Sequence, residues 1–392
     1  MRLSNENKLF IESKKPKIAI IAPPLDSVPS ASGNAIYTLV ESIAKNSSFP
    51  IIIISINKSD NRICSSIENQ IIYISDYYKK SIINAILGYR LSKRILNTTN
   101  LGYLKYYNQA YKIAKQVGIK VVVHEEFADL LFYISSSNLK IILHQHALNN
   151  TTNWNRIKNK IQEIIFVSER SKNIDNKTYK YIIKGEVIYN GLDLNNFPKK
   201  NKKKIFPNEI QFLYVGRINK EKGIVQLIRA FKTIENAKLS IVSDLSYSFG
   251  LDKTYLEYIK DEIANAPNIT LLGKRLQCEL KEEYLKSHFL ICPSIGYEGL
   301  PKTITEAAVV GIPIVASDRG GITEIVRNNE NGIIIQEPIN EKNIINAIQN
   351  GIDNIENLTE TAYQFSTIYR DKFNDKKMCQ NFDNLFKIYF QR

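Results

Sequence analysis

The sequence predicts an α/β protein built of two parallel-sheet domains, and three observations carry that expectation. Its 392 residues exceed what one hydrophobic core usually supports. Short β-branched runs recur with helical stretches between them, the alternation that right-handed βαβ crossovers produce. A basic, turn-rich stretch near residue 200 divides this alternation in two. The expected division is a polar tail over 1–16, a first domain over 17–190, a linker over 191–208, a second domain over 209–372, and a last helix over 373–392.

The first domain opens with Lys17 to Ala22 (KIAIIA), a buried-strand pattern stopped by Pro23-Pro24. The next loop carries Ser30, Ser32, Gly33 and Asn34 and leads into AIYTLVESIAK, an amphipathic helix of about three turns. A strand, a small-residue loop and a helix in succession offer backbone N–H groups to a phosphate, which singles out Gly33. Further strands are expected at Ile51 to Ser55, Ile71 to Ile74, Val121 to His124, Ile141 to His144 and Ile164 to Val167. In open sheets of this kind ligands sit beyond the carboxyl ends of the strands. Of four histidines in the chain, His124, His144 and His146 lie at or just past such ends, and one histidine alone is more often structural. Glu125 and Glu126 follow the same strand. They suit acceptor hydroxyls or the positive end of a helix starting near Phe127, and the capping reading is favoured.

Asn190-Gly191 is a turn signal, and Lys199 to Lys204 reads as an exposed linker. The second domain begins near Ile210. In FLYVGRINKEKGIVQLIRAF a strand runs into Gly216-Arg217, and Lys222-Gly223 begin a helix, so both cations fall within reach of one anion at the strand's carboxyl end. Two more strands follow in KLSIVSD and NITLLGKRLQ, and a third in FLICPS, just after His288, which reads as structural. From Glu341 to Arg392 the pattern is helical.

The most informative stretch is Gly296 to Val326, GYEGLPKTITEAAVVGIPIVASDRGGITEIV. A helix is expected from Pro301, favourable as a first helical residue, to about Val310, where Gly311 can cap it and Pro313 cannot continue it. A helix N-terminus behind a glycine-containing loop, here Gly299, Leu300, Lys302 and Thr303, points N–H groups at an anion. Glu298 and Glu306 would repel a phosphate unless each faces a hydrogen-bond donor, and sugar hydroxyls are donors of that kind. The stretch therefore reads as a nucleotide-sugar pocket. The bland alternative makes Glu298 a loop carboxylate and Glu306 a helix-surface one.

At these residues the chain resembles the family-4 retaining glycosyltransferases of the GT-B fold, two Rossmann-like parallel-sheet domains facing across a cleft. Their E-x7-E segment and Gly-Gly-x-x-Glu turn are matched by Glu298, Gly299, Leu300, Pro301, Glu306, Ala307, Gly311, Pro313, Gly320, Gly321 and Glu324. The resemblance implies that Glu298 contacts the donor sugar and Glu306 the ribose hydroxyls. It implies that Arg217 and Lys222, after Gly216, clamp the diphosphate, which Gly33 meets across the cleft. The backbone around Lys274, Arg275 and Leu276 would pack on the base, and the last helix would cross back to the first domain. Ser243 and His288 depart from the family pattern without touching the clamp or the glutamates. The segments PPLDSVPSASGNAIYTLVESIAK and IILHQHALNN are most similar to lipopolysaccharide-core N-acetylglucosaminyltransferases, although Ala147 and Leu148 separate the second histidine from its asparagine. His146 falls near the reacting sugar by that likeness, with His144 in reserve.

The implied activity moves a hexose or N-acetylhexosamine from a nucleotide sugar, UDP-GlcNAc or another UDP-hexose, to a bacterial surface glycolipid with retention of configuration. No Asp-x-Asp occurs in the chain, so the expectation is metal-independent transfer with no cofactor besides the donor substrate. A capsular or cell-wall acceptor, and a GT-B-like nucleotide-sugar epimerase, are the alternatives.

Composition limits the partners. Hydrophobic residues make up 44% of the chain, as in a globular protein. Cys64, Cys278, Cys292 and Cys379 form no Cys-x-x-Cys pair, so neither a zinc cage nor a disulfide framework is indicated, and a reducing cytoplasm fits. The amino terminus lacks the apolar core of a signal peptide, and the longest aliphatic run, Ile51 to Ile54, is too short to span a bilayer. The net charge of +14 invites an anionic partner. Lys79 to Lys120 holds basic residues and no acidic ones, interleaved with tyrosines and aliphatics. That suits an amphipathic helix on the anionic inner face of the inner membrane, or equally a solvated helix with an aromatic core side. No nucleic-acid-binding motif accompanies the charge.

Overall fold

The structure is a computed structural model and describes residues 3–29, 35–56, 67–74, 101–135, 138–146, 154–179, 185–200, 209–243 and 253–390. The chain forms two compact units. The first comprises Met1–Val167, Lys172–Tyr189 and Asp375–Arg392, and the second Ser168–Ser171 and Asn190–Asn374.

The strands of the first unit are β1 Ile18–Ile21, β2 Ile51–Ile56, β3 Ile71–Ile74, β4 Val121–Glu125, β5 Lys140–Gln145, β6 Ile161–Phe166 and β7 Gly185–Val187. Those of the second are β8 Ile210–Val215, β9 Ala237–Val242, β10 Ile269–Gly273, β11 Phe289–Cys292, β12 Ile314–Ser317 and β13 Gly332–Ile335. The α-helices are α1 Asn5–Lys14, α2 Ala35–Asn46, α3 Leu101–Gln116, α4 Trp154–Ile157, α5 Glu169–Tyr179, α6 Ile224–Phe231, α7 Lys253–Ala264, α8 Gln277–Lys286, α9 Lys302–Val310, α10 Glu341–Asp353, α11 Ile355–Lys372 and α12 Asp375–Phe390.

Among the described residues the first sheet is parallel throughout, in the order β3-β2-β1-β4-β5-β6-β7. Every residue of IAII and IIIISI is buried, because helices cover both faces of an all-parallel sheet and leave no solvent side for polar alternation. Ile18 pairs with Ile51 on one side and Val121 on the other, so the strand order reverses beside β1. One face packs against α3 through Tyr106, Tyr107, Ala110 and Tyr111, the other against α2 and α12 through Tyr37, Val40, Phe382 and Phe386. Helix α12 is tied to the end of α2 by Asp383, which accepts from Ser47 Oγ at 2.5 Å and Ser48 N at 2.8 Å.

Residues 5–14 are a helix and not the polar tail read from their composition. Ser4 caps α1 by accepting from Asn7 N at 3.0 Å, and the buried Asn7 amide donates to the carbonyls of Asn69 and Ile71 at 2.9 and 3.0 Å. Phe10 and Ile11 pack against the core beside these hydrogen bonds, but the helix has no regular apolar stripe, so periodicity does not reveal it.

The second sheet is also parallel, in the order β10-β9-β8-β11-β12-β13, with β8 and β11 adjacent at its centre. Its core runs from Phe212, Phe231 and Phe289 to Ile344 and Ile348 of α10. Helix α9 begins at Lys302, with Pro301 as its extended N-cap (ψ 128°), one residue later than the sequence suggested, and stops at Gly311 in the left-handed conformation (φ 87°).

Candidate active site

In the second unit, the loops after β8 and β11 bring Lys222 and Glu298 together. Strand β8 ends in Gly216-Arg217, a turn held by Tyr214, whose hydroxyl donates to Arg217 O at 2.9 Å. The chain then makes a 3-10 turn, Lys220–Lys222, capped by Asn219 Oδ1 on Lys222 N at 3.0 Å. Helix α6 starts only at Ile224, because Gly223 takes a left-handed conformation (φ 67°) against the Pro293 carbonyl, which leaves no room for a Cβ. The loop after β11 is sewn to this turn: Ile295 N and Gly296 N donate to Glu221 O at 2.8 and 2.9 Å. Two loops far apart in sequence thus become one surface at the carboxyl edge of the sheet, where open α/β sheets bind ligands.

On that surface Lys222 Nζ pairs with Glu298 Oε1, which also accepts from Ser294 Oγ at 2.6 Å. The Glu298 side chain is only 11% exposed, and these donors supply the hydrogen bonds that a carboxylate largely withdrawn from water needs. An ammonium has three donors, so Lys222 can hold Glu298 and still meet an anion. Arg217 is exposed. Gly299 and Leu300 are buried and lead through Pro301 into α9, whose first turn carries Lys302 and Thr303.

Glu306, on α9, is buried and not a surface carboxylate. Tyr284 of α8 donates to Glu306 Oε2 at 2.7 Å, and Lys302 Nζ lies 4.0 Å from Oε1. Burial pushes the Glu306 carboxyl above its usual range, while Lys302 and the Tyr284 hydrogen bond pull it down. The tyrosine occupies one oxygen, and the other faces Lys302. At the end of β10, Leu276 is 57% exposed at the start of α8 and its N–H donates to Glu279 Oε2 at 2.7 Å, while Arg275 is half-buried beside it. An exposed leucine in such a loop is a surface on which a flat ring can rest.

The Gly-Gly-x-x-Glu turn has a steric reason. Gly320 (φ 52°) lies against the Glu298 carbonyl so closely that a Cβ there would collide with it, and Gly321 N donates to Gly299 O at 2.9 Å. The glycines let the turn press on the backbone that carries Glu298. His288 is structural, accepting from Gln211 N at 2.8 Å through Nδ1. Burial and Lys200 lower its pKa to about 4.

In the first unit, the histidines divide. His124 is fully buried against Tyr107 and Tyr111, with 3.1 Å between its Nδ1 and the Tyr111 hydroxyl; burial lowers its pKa to about 4, and it is a core residue. His144 and His146 both meet Glu125: His144 Nδ1 lies 3.1 Å from Oε1, and His146 Nε2 lies 2.8 Å from Oε2. Glu125 is therefore not a helix cap, because its carboxylate is buried between the two rings and the segment after it, Ala128–Tyr133, is a 3-10 helix. Glu126 instead accepts from His146 N at 2.9 Å. Among the described residues, Glu125, His144 and His146 are also a group whose donor atoms, within 4.8 Å of one another, would suit a metal ion.

Gly33 and residues 79–100 of the Lys79 to Lys120 region lie outside the described residues. Within the described part, the tyrosines of α3 face the sheet. The Tyr106 hydroxyl donates to Ala22 O and Ile54 O, and that of Tyr107 to Glu125 O, so these rings belong to the core and not to a membrane-facing stripe. No helix among the described residues is long and apolar enough to cross a membrane. Tyr284, Ser294 and Asn219 escaped the reading of the sequence, since none belongs to a spaced motif, and Glu125 was singled out there as a helix cap and not as a partner of histidines.

Two open parallel sheets of this kind are the architecture of the GT-B fold, and the second carries a match to a glycosyltransferase family. Residues 195–365 match the glycosyl transferases group 1 family, and the chain carries a domain of that family. It is 24% identical over 398 aligned positions to a lipopolysaccharide 1,2-N-acetylglucosaminetransferase of Salmonella typhimurium, covering 96% of this chain and 99% of that protein. The structure is similar to a sucrose-phosphate synthase of Thermosynechococcus elongatus (TM-score 0.75, 18% identity, 96% of this chain and 99% of that one). It is also similar to HepE of Anabaena in complex with UDP and glucose (TM-score 0.72, 16% identity, 95% of this chain and 99% of that one). These structural likenesses speak for the fold.

Proposed function

We propose that this glycosyltransferase moves a hexose or N-acetylhexosamine from a UDP-linked sugar to a bacterial surface glycolipid of the lipopolysaccharide-core type, with retention of configuration and without a metal ion. The observation that carries the reading is the Lys222–Glu298 pair beside the first turn of α9. It places a cation with spare donors next to a carboxylate that needs donors, and a sugar diphosphate supplies both complements. In this reading Arg217 and Lys222 hold the diphosphate, with N–H groups of α9 from Lys302 and Thr303. Glu298 receives hydroxyls of the sugar and Glu306 those of the ribose, while Arg275 and Leu276 lie against the base. As the glycosidic bond breaks, the leaving diphosphate gains negative charge that these fixed donors stabilise in place of a metal. The acceptor hydroxyl attacks on the face the diphosphate leaves, with its proton taken by the departing phosphate. His146 stands near the reacting sugar. The lipopolysaccharide-core acceptor rests on the nearly full-length likeness to the Salmonella transferase. Contact with anionic lipid at the inner membrane face through the Lys79 to Lys120 region belongs to the same proposal.

The test is release of UDP or GDP from a panel of nucleotide sugars, with truncated lipopolysaccharide in detergent as acceptor and EDTA present. Acceptor-dependent release from one donor, lost in Glu298→Ala and Lys222→Ala, is the expected result. Release that requires an added divalent cation sinks metal independence, and release unchanged in both variants sinks the site.

A further inference from the structure

We propose that Glu125 is the positioning residue for His146, holding it in the tautomer that carries its proton on Nε2 and presents the Nδ1 lone pair to the ligand. The argument starts from register. Glu125 ends β4 and faces His144 on β5 as its parallel-strand partner, and His146 follows two residues later. One carboxylate therefore reaches both rings, His144 Nδ1 through Oε1 and His146 Nε2 through Oε2. Glu125 is wholly buried, and the two ring nitrogens are the hydrogen-bond partners within reach of its two oxygens, at 3.1 and 2.8 Å. An ionised carboxylate only accepts, so each facing ring nitrogen must carry a proton. For a neutral His146 the lone pair is then on Nδ1.

The backbone supports the same arrangement. Glu126 and Phe127 both take left-handed conformations (φ 56° and 48°), which non-glycine residues adopt at a cost of about 1 kcal/mol or more each and keep only where the surroundings impose it. The bend lets Glu126 Oε1 accept from His146 N at 2.9 Å, so His146 is held by its main chain and its ring at once. The His144 ring lies beside it, tilted by 48° with centroids 4.1 Å apart, and Phe382 packs edge-on against His144 at 5.4 Å. Such fixing of a histidine through its second nitrogen is how proteins decide which nitrogen does the work. The inference rests on the proposal that His146 stands near the reacting sugar.

The test uses the full chain labelled with nitrogen-15. Only four histidines are present, so single substitutions assign their ring signals. The wild type should show a protonated Nε2 and an unprotonated Nδ1 for His146, and the reverse for His144. In Glu125→Gln the His146 signals should become those of a tautomer mixture, while kcat falls about 10- to 100-fold with the donor KM little changed, as removal of such a partner typically does. A wild-type His146 protonated on Nδ1 overturns the proposal without any variant having to fold. So does stoichiometric zinc in the purified protein, which would make the three residues a metal site. An expected tautomer in a protein that transfers no sugar would leave the positioning role of Glu125 standing and remove the activity assigned to the fold's edge.

Discussion

Replacing Gly320 with alanine separates the steric role of the Gly-Gly turn from ordinary backbone strain. A Cβ at 320 would lie far inside the 3.0 Å that real Cβ atoms respect, and the atom it meets is the carbonyl oxygen of Glu298. Backbone cannot rotate aside as a side chain can, so the Glu298 peptide must retreat by about 1 Å or more, and displacements of that size cost roughly 100-fold in rate. A second cost is the left-handed conformation itself, about 1 kcal/mol for a residue with a Cβ. Gly118 provides the control, because its φ is 77° and nothing lies within 4 Å of a Cβ there. Gly118→Ala should lose about 1 kcal/mol of stability and keep full transfer activity. Gly320→Ala should lose at least about 100-fold in kcat/KM, with circular dichroism still showing a folded chain. If both variants transfer sugar at the wild-type rate, then the position of Glu298 does not control the chemistry and the reasoning fails.

Two further outcomes follow from buried groups. Tyr284→Phe leaves Glu306 Oε2 without its donor; a hydrogen bond to a charged group is worth about 1.5–3 kcal/mol, so UDP should bind about 10-fold or more weakly by calorimetry. Because that hydrogen bond lowers the Glu306 pKa, the variant should also lose UDP affinity at a higher pH than the wild type as pH falls, and coincident pH profiles would contradict this account. The stability term has the opposite sign: the raised carboxyl favours the fold when protonated, and this contribution fades as pH rises from 4.5 toward the raised value. His124 works the other way, with a folded pKa of about 4 against 6.5. The unfolded chain binds the proton first, so denaturation midpoints should fall as pH drops from 6.5 to about 4, with His124 contributing on the order of 3 kcal/mol. A midpoint that stays flat across that window refutes the assignment of a neutral buried His124.

The local pattern of residues was enough to place β1 to β6, the end of α9 at Gly311, the two glutamates and the cations after β8, because strand burial, capping and turn chemistry act over a few residues. It misled over residues 5–14, where side-chain caps replace periodicity, and at Pro301, which sits one position outside the helix it introduces. What the chain pattern could not supply is pairing at a distance. Lys222 meets Glu298 across 76 positions, Tyr284 meets Glu306 across 22, and Glu125 meets His144 and His146 across 19 and 21. The first depends on two loops meeting at the sheet edge, the second on two helices packing side by side, and the third on strand register, where a slip of one residue turns a side chain to the opposite face. Glu125 shows the difference most clearly: its position beside a strand end suggested a helix cap, and only the parallel alignment of β4 with β5 made it the shared partner of two histidines. The sequence by itself determined which chemical groups stand at the strand ends. The tertiary structure decided which of them touch, because register and burial are properties of the packed sheets and not of any one segment.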